Sequence, residues 1–501
     1  MSDLRADVVV VGAGNAGLCA AHAAARGGAD VVVLEKASPQ AAGGNSYYTA
    51  GAFRVVHPGL PGVLGVLEDD GRARRSVLEP YTREAYLEDM RRLTDGRCDP
   101  ELTEALVDGS EAIVGWLAQL GVRWRLMYER QAYERDGEFR FWGGLALGTV
   151  DGGKGLMAQH LAAARREGVR IVHGAGVHAL ERDDGGVHAV RHRADDGRER
   201  VVRAGAVVLA AGGFEASPEL RERHLGPGWE RARVRGTPLN TGEVLMAALD
   251  AGAAPHGDWS SCHSVAWDAG ADPAGGDREL TNQLTRGGYP LGIVVNREGR
   301  RFVDEGADYR NYTYARYGRD ILAQPGGVAF QLFDARTRAL LRAEEYDSAR
   351  VTGASAGTLE ELAARLGIVP GGLTETVAAF NAAVRRDVPF DPAIKDGRGT
   401  TGIDPPKSHW ANPLEEPPFH GFAVTCGVTF TFGGLRIDPQ GCVLDREGEA
   451  IGGLHAAGEL VGGLFHGNYP GGTGLTAGAV FGRRAGARAA ARALGTADRA
   501  R

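Results

Sequence analysis

The sequence predicts an α/β fold with more than one domain, and three observations carry this prediction. The chain has 501 residues, which is longer than a single hydrophobic core usually extends. Near the N-terminus, an apolar run, a glycine-rich turn, an alanine-rich stretch and a second apolar run follow in the order strand, turn, helix, strand. The 76 glycines show no collagen-like period, so we expect them at loops where the backbone closely approaches something.

The composition excludes several classes of protein. Apolar residues make up 43% of the chain, too many for a disordered polypeptide. The net charge of -7, with mixed signs, gives no indication of a nucleic acid or an anionic membrane as partner. The scattered cysteines form no CxxC pair, so neither a disulfide framework nor a metal site is expected. No apolar run reaches the roughly 18 residues of a membrane span, and we expect a cytoplasmic protein.

The N-terminal segment has the pattern of a dinucleotide-binding unit. We predict strands over residues 7–11 and 31–34 and a helix over residues 16–26. In the G-x-G-x-x-G turn between strand and helix, the first glycine permits a tight turn and the second lets the backbone approach a pyrophosphate. Glu35 ends the second strand, where a carboxylate accepts ribose hydroxyls and disfavours a 2′-phosphate. The turn consists of Gly12, Ala13, Gly14, Asn15, Ala16 and Gly17.

A second glycine-rich segment follows soon after Glu35 and Lys36, and it would let another stretch of backbone reach the same dinucleotide. Its residues are Gly43, Gly44, Asn45, Ser46, Ala50 and Gly51. At this point the chain resembles the flavoprotein family of fumarate reductases and succinate dehydrogenases, in which a G-G-N-S loop after the acidic strand helps hold FAD. That family also includes 3-ketosteroid dehydrogenases and the tricarballylate dehydrogenase type. The resemblance implies a Rossmann-like FAD-binding domain.

The resemblance extends along most of the chain and implies further FAD contacts. They are Gly153 and Gly155 before a helix, Val177, Ala210, Ala211 and Gly212 after a buried strand, Asn240 and Gly242 in a turn, Gly458 and Glu459 after the last strand, and Thr473, Gly474 and Leu475 at the start of the final helix. By resemblance, the final helix points its N-terminus at the flavin and Glu459 contacts the ribityl chain. Complex-type relatives carry a histidine where this chain has Tyr47 and Tyr48, so we expect noncovalent FAD.

The composition changes in the middle of the chain, which fits the family's α+β capping domain inserted into a discontinuous FAD-binding domain. We predict FAD-binding segments over residues 1–257 and 429–501 and the capping domain over residues 258–428. Residues 293–305 match the family pattern V-N-x-x-G-x-R-F-x-x-E. Two helical patterns are expected within residues 359–383.

Three candidate catalytic residues follow from this resemblance. In fumarate reductases, an arginine shortly after the motif's glutamate delivers the proton, and here Arg310 follows Glu305 one residue later than expected. A glutamate and an arginine before the V-N strand relay protons in those enzymes. Arg286 fits the arginine, but Gln283 stands in the place of the glutamate. His263 lies where relatives have a substrate-binding histidine.

Tyr469 is the fourth candidate. Tyr469 stands where fumarate reductases have an arginine that binds a substrate carboxylate. Because this chain lacks that arginine, fumarate is not expected to be its substrate. A tyrosine at this position resembles the 3-ketosteroid dehydrogenases, in which it polarises a ketone. The segments T-F-T-F-G-G and N-Y-P-G-G, however, also resemble the tricarballylate dehydrogenase type.

Three functions stay open at this point. The first is a tricarballylate dehydrogenase-like enzyme that uses FAD to desaturate, or reduce, a CH–CH bond activated by a carboxylate or ketone. In this function Arg310 and Arg286 bind the substrate and move the proton, and Tyr469 orients the activating carbonyl. The second is a 3-ketosteroid-type desaturase, favoured by Tyr469, Phe430 and Phe432. The third is a flavin-binding protein without turnover. The sequence contains no haem-attachment or iron–sulfur spacing, so we expect a small-molecule substrate and a separate, unidentified electron acceptor.

Overall fold

A parallel sheet forms the centre of the first part of the fold. The computed structural model describes residues 4–68 and 70–496, and within them this sheet has eight strands. Strand Leu4–Val11 lies between the parallel strands Val31–Leu34 and Glu199–Leu209. The outer parallel strands are Arg170–Val172, beside Val31–Leu34, and Ala450–Ala456, beside Glu199–Leu209. The antiparallel strands Gly176–Asp183, Gly186–Arg193 and Cys442–Leu444 complete the sheet. The α/β class and the strands predicted at residues 7–11 and 31–34 are therefore confirmed.

Small residues bring the two central helices close together. Helix Asn15–Arg26 packs along the final helix Thr473–Ala493. A Cβ atom on Gly482 would lie 2.4 Å from the carbonyl oxygen of Ala16, and one on Gly486 would lie 2.1 Å from that of Ala20. Because these distances exclude any larger side chain, the glycines and alanines of both helices set how closely they approach. The predicted helix at residues 16–26 is confirmed, with its start one residue earlier.

The other elements of the first part surround this sheet. Its helices are Gly44–Tyr48, Leu60–Val63, Arg83–Leu93, Pro100–Gln119, Tyr128–Gln131, Gly152–Arg166, Pro218–Leu225 and Glu243–Asp250, with 3₁₀ turns Leu64–Val66, Ala73–Arg75, Trp229–Arg231 and Gly458–Leu460. Its short strands are Ala52–Phe53, Ser76–Val77, Trp124–Leu126, Ala132–Arg135, Glu138–Phe141, Leu147–Thr149, Pro255–His256 and Gly434–Leu435. No helix of the described ranges is long and apolar enough to cross a bilayer.

The second sheet is organised around one long strand, Phe419–Thr431. This strand pairs antiparallel with Cys262–Asp268, Val328–Phe333 and Gly353–Ala356, and parallel with Arg233–Val234. Strand Ile293–Asn296, from the V-N motif, is added beyond Val328–Phe333. The long strand crosses the predicted domain limit at residues 428/429, so the division into three segments stays a prediction.

Helices cover the second sheet. Leu359–Leu366 and Pro370–Ala383 bury Leu362 and Phe380 in an apolar cluster with Ile293 and Phe330, which explains the two helical patterns in the sequence. The shorter helices of this part are Arg310–Thr313, Tyr317–Leu322, Ala335–Arg338 and Ala343–Tyr346, with 3₁₀ turns Thr281–Leu284, Tyr289–Leu291 and Pro325–Gly327.

Candidate active site and cofactor cavity

One cavity is lined both by loops of the parallel sheet and by residues of the second sheet. Loops that follow the parallel strands supply Gly12, Glu35 and Gly212, and the opposite wall includes His263 and Arg310. Loops at the carboxyl ends of parallel strands meet at one edge of a sheet, which is where nucleotide cofactors bind in such folds.

The glycine turn is shaped for a cofactor that contacts backbone. Gly12 has a φ of 102°, and a Cβ there would lie 2.4 Å from the carbonyl oxygen of Ala210. At Gly14 the nearest atom to a Cβ would be the Ser46 Oγ at 3.5 Å, so the protein leaves this side open. Helix Asn15–Arg26 begins there without a side-chain cap. Its first N–H groups and its dipole therefore suit a pyrophosphate.

Glu35 is held next to this turn by two backbone amides. Its Oε2 accepts from the Ala13 N–H at 2.7 Å, and its Oε1 accepts from the Ala37 N–H at 2.8 Å. Each oxygen keeps a second lone pair for another donor. The carboxylate is thus oriented to accept a ribose hydroxyl.

The G-G-N-S loop forms hydrogen bonds to several segments of the cavity wall. The Asn15 N–H donates to the Ser46 Oγ at 3.0 Å. Asn45 accepts from the Thr237 N–H at 2.9 Å and donates to the Thr429 carbonyl at 2.6 Å. One loop thereby joins the first helix to both segments that carry the opposite wall. The donors and the open backbone fit FAD.

Most of the predicted FAD residues line this cavity. They are Gly12, Ala13, Gly14, Asn15, Ala16, Glu35, Lys36, Gly44, Asn45, Ser46, Ala50, Val177, Ala210, Ala211, Gly212, Asn240, Gly242, Gly458, Glu459, Gly474 and Leu475.

The remaining predicted FAD residues, Gly43, Gly51, Gly153, Gly155 and Thr473, lie off the cavity wall and support it instead. A Cβ on Gly153 would lie 2.1 Å from the Ser46 carbonyl oxygen, and one on Gly155 would lie 1.9 Å from that of Val150. These glycines let helix Gly152–Arg166 pack under the G-G-N-S loop. Thr473 is buried and its hydroxyl bonds to Tyr86.

Arg310 lines the substrate end of the cavity. Its Nη1 lies 3.9 Å from Glu345 Oε1, and its Nε has no hydrogen-bond partner among the described residues. Burial, with the like charge of Arg342, lowers the pKa of Arg310 to about 10, although Glu345 opposes this shift. A buried guanidinium with unused N–H groups is suited to bind an anion and to move a proton.

Glu345 places a carboxylate beside Arg310, whereas Gln283, at the position of the glutamate in fumarate reductases, has no carboxylate. It is 1% exposed and accepts from Arg130 at 3.1 Å and from Arg342 at 3.0 Å. Burial alone would raise the pKa of Glu345, but Arg342, Arg130 and Arg310 outweigh it and lower the pKa to about 2. Glu345 is therefore a fixed negative charge that orients the arginines. Sequence reasoning missed it because no spacing links residue 345 to the V-N motif.

Arg235 is a further cation of the cavity, and it was also missed by sequence reasoning. Its Nε donates to the Thr285 Oγ1 at 3.1 Å and its Nη1 to the Thr429 Oγ1 at 2.8 Å. It lines the cavity and forms no ion pair within the described ranges. Burial lowers the pKa of Arg235. Besides these hydroxyls, the guanidinium has only the face of the Trp267 ring, 5.7 Å away, as a contact among the described residues. The cation therefore lacks a counter-ion, and an anionic ligand would supply one.

An aromatic cluster completes the substrate end. The His263 ring lies 4.9 Å from the rings of both Tyr314 and Tyr469 and 5.1 Å from that of Phe430. Burial and Arg235 hold the pKa of His263 well below its usual range, so its ring is neutral. The hydroxyls of Tyr314 and Tyr469 are 2.5 Å apart. Burial raises the pKa of Tyr469 well above its usual range, so its hydroxyl keeps its proton, and the pair can donate a hydrogen bond to a carbonyl oxygen.

Arg286 lies outside the cavity wall, so the structure does not bring it to the substrate end, and its catalytic role stays a prediction. Its Nη2 lies 2.7 Å from Asp268 Oδ2, and the two side chains are 1% and 0% exposed. Its Nη1 donates to the Gln283 carbonyl at 2.9 Å. With its donors used inside the protein, Arg286 joins the segment before the V-N strand to strand Cys262–Asp268.

Arg286→Ala is expected to destabilise the protein by about 3–5 kcal/mol, because it leaves the buried Asp268 carboxylate unpaired. Urea unfolding followed by circular dichroism measures this change. Arg297→Ala, at an exposed arginine of the same region, is the matched control and should change little. Equal stability of both variants would contradict the structural role.

The cavity, the glycine-rich turn and the glutamate at the end of the second strand together define a flavoprotein. Its FAD site is the cavity lined by residues of both sheets. The chain belongs to the FAD binding domain family, whose model matches residues 7–475. Among described residues, no group of three or more His, Cys, Asp or Glu side chains could hold a metal ion.

Three similar proteins agree with this assignment. NADH:fumarate oxidoreductase of Klebsiella pneumoniae (strain 342) is 27% identical over 98% of this chain, which spans 48% of that protein's length. A 4-oxocyclohexanecarboxylate 2-dehydrogenase of Sinomonas cyclohexanicum is 30% identical, over 93% of this chain and 89% of its own. The crystal structure of 3-ketosteroid-Δ4-(5α)-dehydrogenase from Rhodococcus jostii RHA1, in complex with 4-androstene-3,17-dione, has a TM-score of 0.70 and 27% identity, with 97% of each chain covered.

These comparisons confirm several predictions. The family resemblance, the Rossmann-like fold and FAD as cofactor are confirmed. The predicted class of enzyme, a FAD-dependent oxidoreductase acting on CH–CH bonds, is confirmed as well. The roles of individual residues stay predictions.

Proposed function

We propose that the protein oxidises, or in reverse reduces, a CH–CH bond of a small organic acid whose carboxylates bind in the cationic end of the cavity. Arg235 supports this proposal most directly, because its guanidinium lines the cavity without an acidic partner in the described residues. Arg130 and Arg310 line the same cavity. A substrate of the tricarballylate type, with several carboxylates, matches this charge.

The chain's residues explain how such a bond can react. When bound, FAD supplies the acceptor or donor of a hydride. The adjacent C–H is acidic only beside a carboxylate or carbonyl, whose oxygen gains negative charge as the proton leaves. Arg235, as a cation that lines the cavity, can stabilise that charge. The pKa of Arg310 is lowered to about 10, so its guanidinium can donate a proton to carbon during reduction, and its neutral form can take that proton during oxidation. Glu345, 3.9 Å away, keeps Arg310 oriented.

A second candidate is an acid activated by a ketone. The Tyr314–Tyr469 hydroxyl pair, beside the neutral ring of His263, can donate to a ketone oxygen. The Sinomonas relative is named for a substrate with both an oxo group and a carboxylate. A neutral steroid fits less well, because it would leave Arg235 buried without an anion.

An anaerobic screen that follows the loss of visible flavin absorbance tests the proposal. Tricarballylate and succinate represent polycarboxylates, 4-oxocyclohexanecarboxylate a keto acid, and 4-androstene-3,17-dione a neutral ketone. We expect bleaching by a carboxylate-bearing substrate. Bleaching by the steroid alone would contradict the proposal. A flavin that none of them reduces, and that no unsaturated acid reoxidises after dithionite, would indicate a flavin-binding protein without turnover.

Noncovalent attachment of FAD is a separate expectation. The short helix Gly44–Tyr48 ends in Tyr47 and Tyr48, and the Arg278 guanidinium lies 3.4 Å from the centre of the Tyr47 ring. Acid precipitation should therefore release the yellow colour into the supernatant. Colour that stays in the pellet would show a covalent bond.

The partners follow from the same reasoning. We propose a separate electron acceptor, no nucleic acid partner and a cytoplasmic location, supported by the scattered cysteines and the net charge of -7. The division into residues 1–257, 258–428 and 429–501 is part of this proposal.

A further inference from the structure

Two carboxyl groups, those of the buried Glu215 and the partly exposed Glu459, lie together beside the cofactor cavity. Glu215 follows strand Glu199–Leu209 and Glu459 follows strand Ala450–Ala456. These strands are parallel neighbours, so both side chains lie at the same end of the sheet. Glu215 is fully buried, Glu459 lines the cavity, and the two carboxyl groups lie within hydrogen-bonding reach of each other. The substrate chemistry proposed above does not use them.

The hydrogen bonds around the pair leave one carboxyl oxygen, Glu215 Oε2, without a donor in the described structure, and a proton shared with Glu459 would supply the missing hydrogen. Glu215 Oε1 accepts from the Asn45 Nδ2 at 2.6 Å and from the Asn240 Nδ2 at 2.7 Å. Glu215 Oε2 is buried and has no other donor among the described residues. On the opposite side, Glu459 Oε1 accepts from the Thr431 N–H at 2.8 Å. Two carboxyl oxygens within hydrogen-bonding reach of each other, one of them fully buried, need a hydrogen between them.

No nearby charge in the described part of the chain replaces the hydrogen that the two carboxyl groups need between them. Burial raises the pKa of Glu215, and burial together with the charge of Glu215 raises that of Glu459 well above its usual range. The Arg221 guanidinium donates to the backbone carbonyl of Glu215 rather than to its carboxyl group. The Cys262 thiol also lies near Glu215, and burial raises its pKa well above the usual range, so it stays neutral.

We propose that Glu215 and Glu459 share a single proton, and that FAD binds to this singly protonated pair. Loss of the proton would place a second negative charge on the pair, beside a cofactor that carries a pyrophosphate. It would also separate the two carboxyl groups and release Glu459 from its position in the cavity wall. Glu215 is thus a positioning residue that acts through Glu459.

Infrared spectroscopy of the apo-protein tests the shared proton. We expect the wild type to show a protonated-carboxyl C=O band that is absent from both Glu215→Gln and Glu459→Gln. Glu222→Gln, at an exposed residue of the neighbouring helix Pro218–Leu225, should keep the band. A band that persists in Glu215→Gln and Glu459→Gln would overturn the proposal.

Titration of apo-protein with FAD, read by quenching of FAD fluorescence, tests the link to the cofactor. In the wild type, the Kd should be constant at low pH and rise about tenfold per pH unit once the pair loses its proton. In Glu215→Gln the amide replaces the shared proton, so the Kd should not change over the same range. A flat wild-type profile, or equal slopes in both proteins, would overturn the link. Neither readout uses a substrate, so failure here is distinct from failure of the proposed function.

Discussion

Replacing Arg310 with alanine is expected to reduce turnover by about a thousandfold while the protein stays yellow. Arg310 is the buried cation whose Nε is left without a partner at the substrate end of the cavity. Its removal also relieves the like charges of Arg130 and Arg342, so the fold should tolerate the change. The rate of anaerobic flavin reduction at saturating substrate measures the effect.

Two further variants make this test specific. Arg310→Lys keeps a positive charge but loses the planar fork of donors, so it should recover only part of the rate. Arg316→Ala, at an exposed arginine six residues along the same segment, should reduce flavin at the wild-type rate. Undiminished turnover in Arg310→Ala would remove this residue from the mechanism.

Replacing Arg235 with alanine is expected to lower kcat/KM for a carboxylate substrate by about 10²- to 10³-fold, chiefly through KM. A charge-assisted hydrogen bond to a buried carboxylate would be lost, at a cost of about 3–4 kcal/mol. Thr285 and Thr429, which now accept from Arg235, can donate to water in the variant. Steady-state kinetics with the acid and with its ester at the same carboxylate measures the effect.

The ester identifies which group Arg235 contacts. The wild type should prefer the acid strongly, and Arg235→Ala should lose most of that preference because the ester carries no charge to pair. Arg231→Ala, whose side chain is 61% exposed, is the control from the same segment. An acid preference that survives in Arg235→Ala would exclude the carboxylate contact.

The two variants are expected to differ in the parameter they change. In the proposed mechanism Arg310 acts on the reacting atoms, so its loss should appear in kcat. Arg235 anchors a group that is charged in both the substrate and the transition state, so its loss should appear mainly in KM. Identical effects would mean that both arginines form a single binding unit.

The cofactor site was largely predictable because its parts are local in the sequence. The turn from Gly12 to Gly17 joins one strand to the next helix, and Glu35 ends the following strand. Strand order and glycine spacing therefore place the turn and the acid together before any long-range contact is known. The predicted glycines that lie off the wall, such as Gly153 and Gly155, follow the same pattern but serve helix packing. A pattern does not distinguish contact with FAD from contact with backbone.

The substrate end depended on contacts between distant segments. Arg286 and Arg310 are both arginines near the V-N motif, yet Asp268 takes the first into an internal ion pair while the second reaches the cavity. Arg235 and Glu345 belong to no motif. They come close to the other residues of the substrate end only through the tertiary packing of the chain. Sequence patterns thus sufficed for the α/β fold and a dinucleotide site, because these depend on neighbouring residues, and the family resemblance implied FAD. The tertiary structure decided which charges are paired and which stay free for a ligand, because pairing depends on burial and on contacts across long stretches of chain.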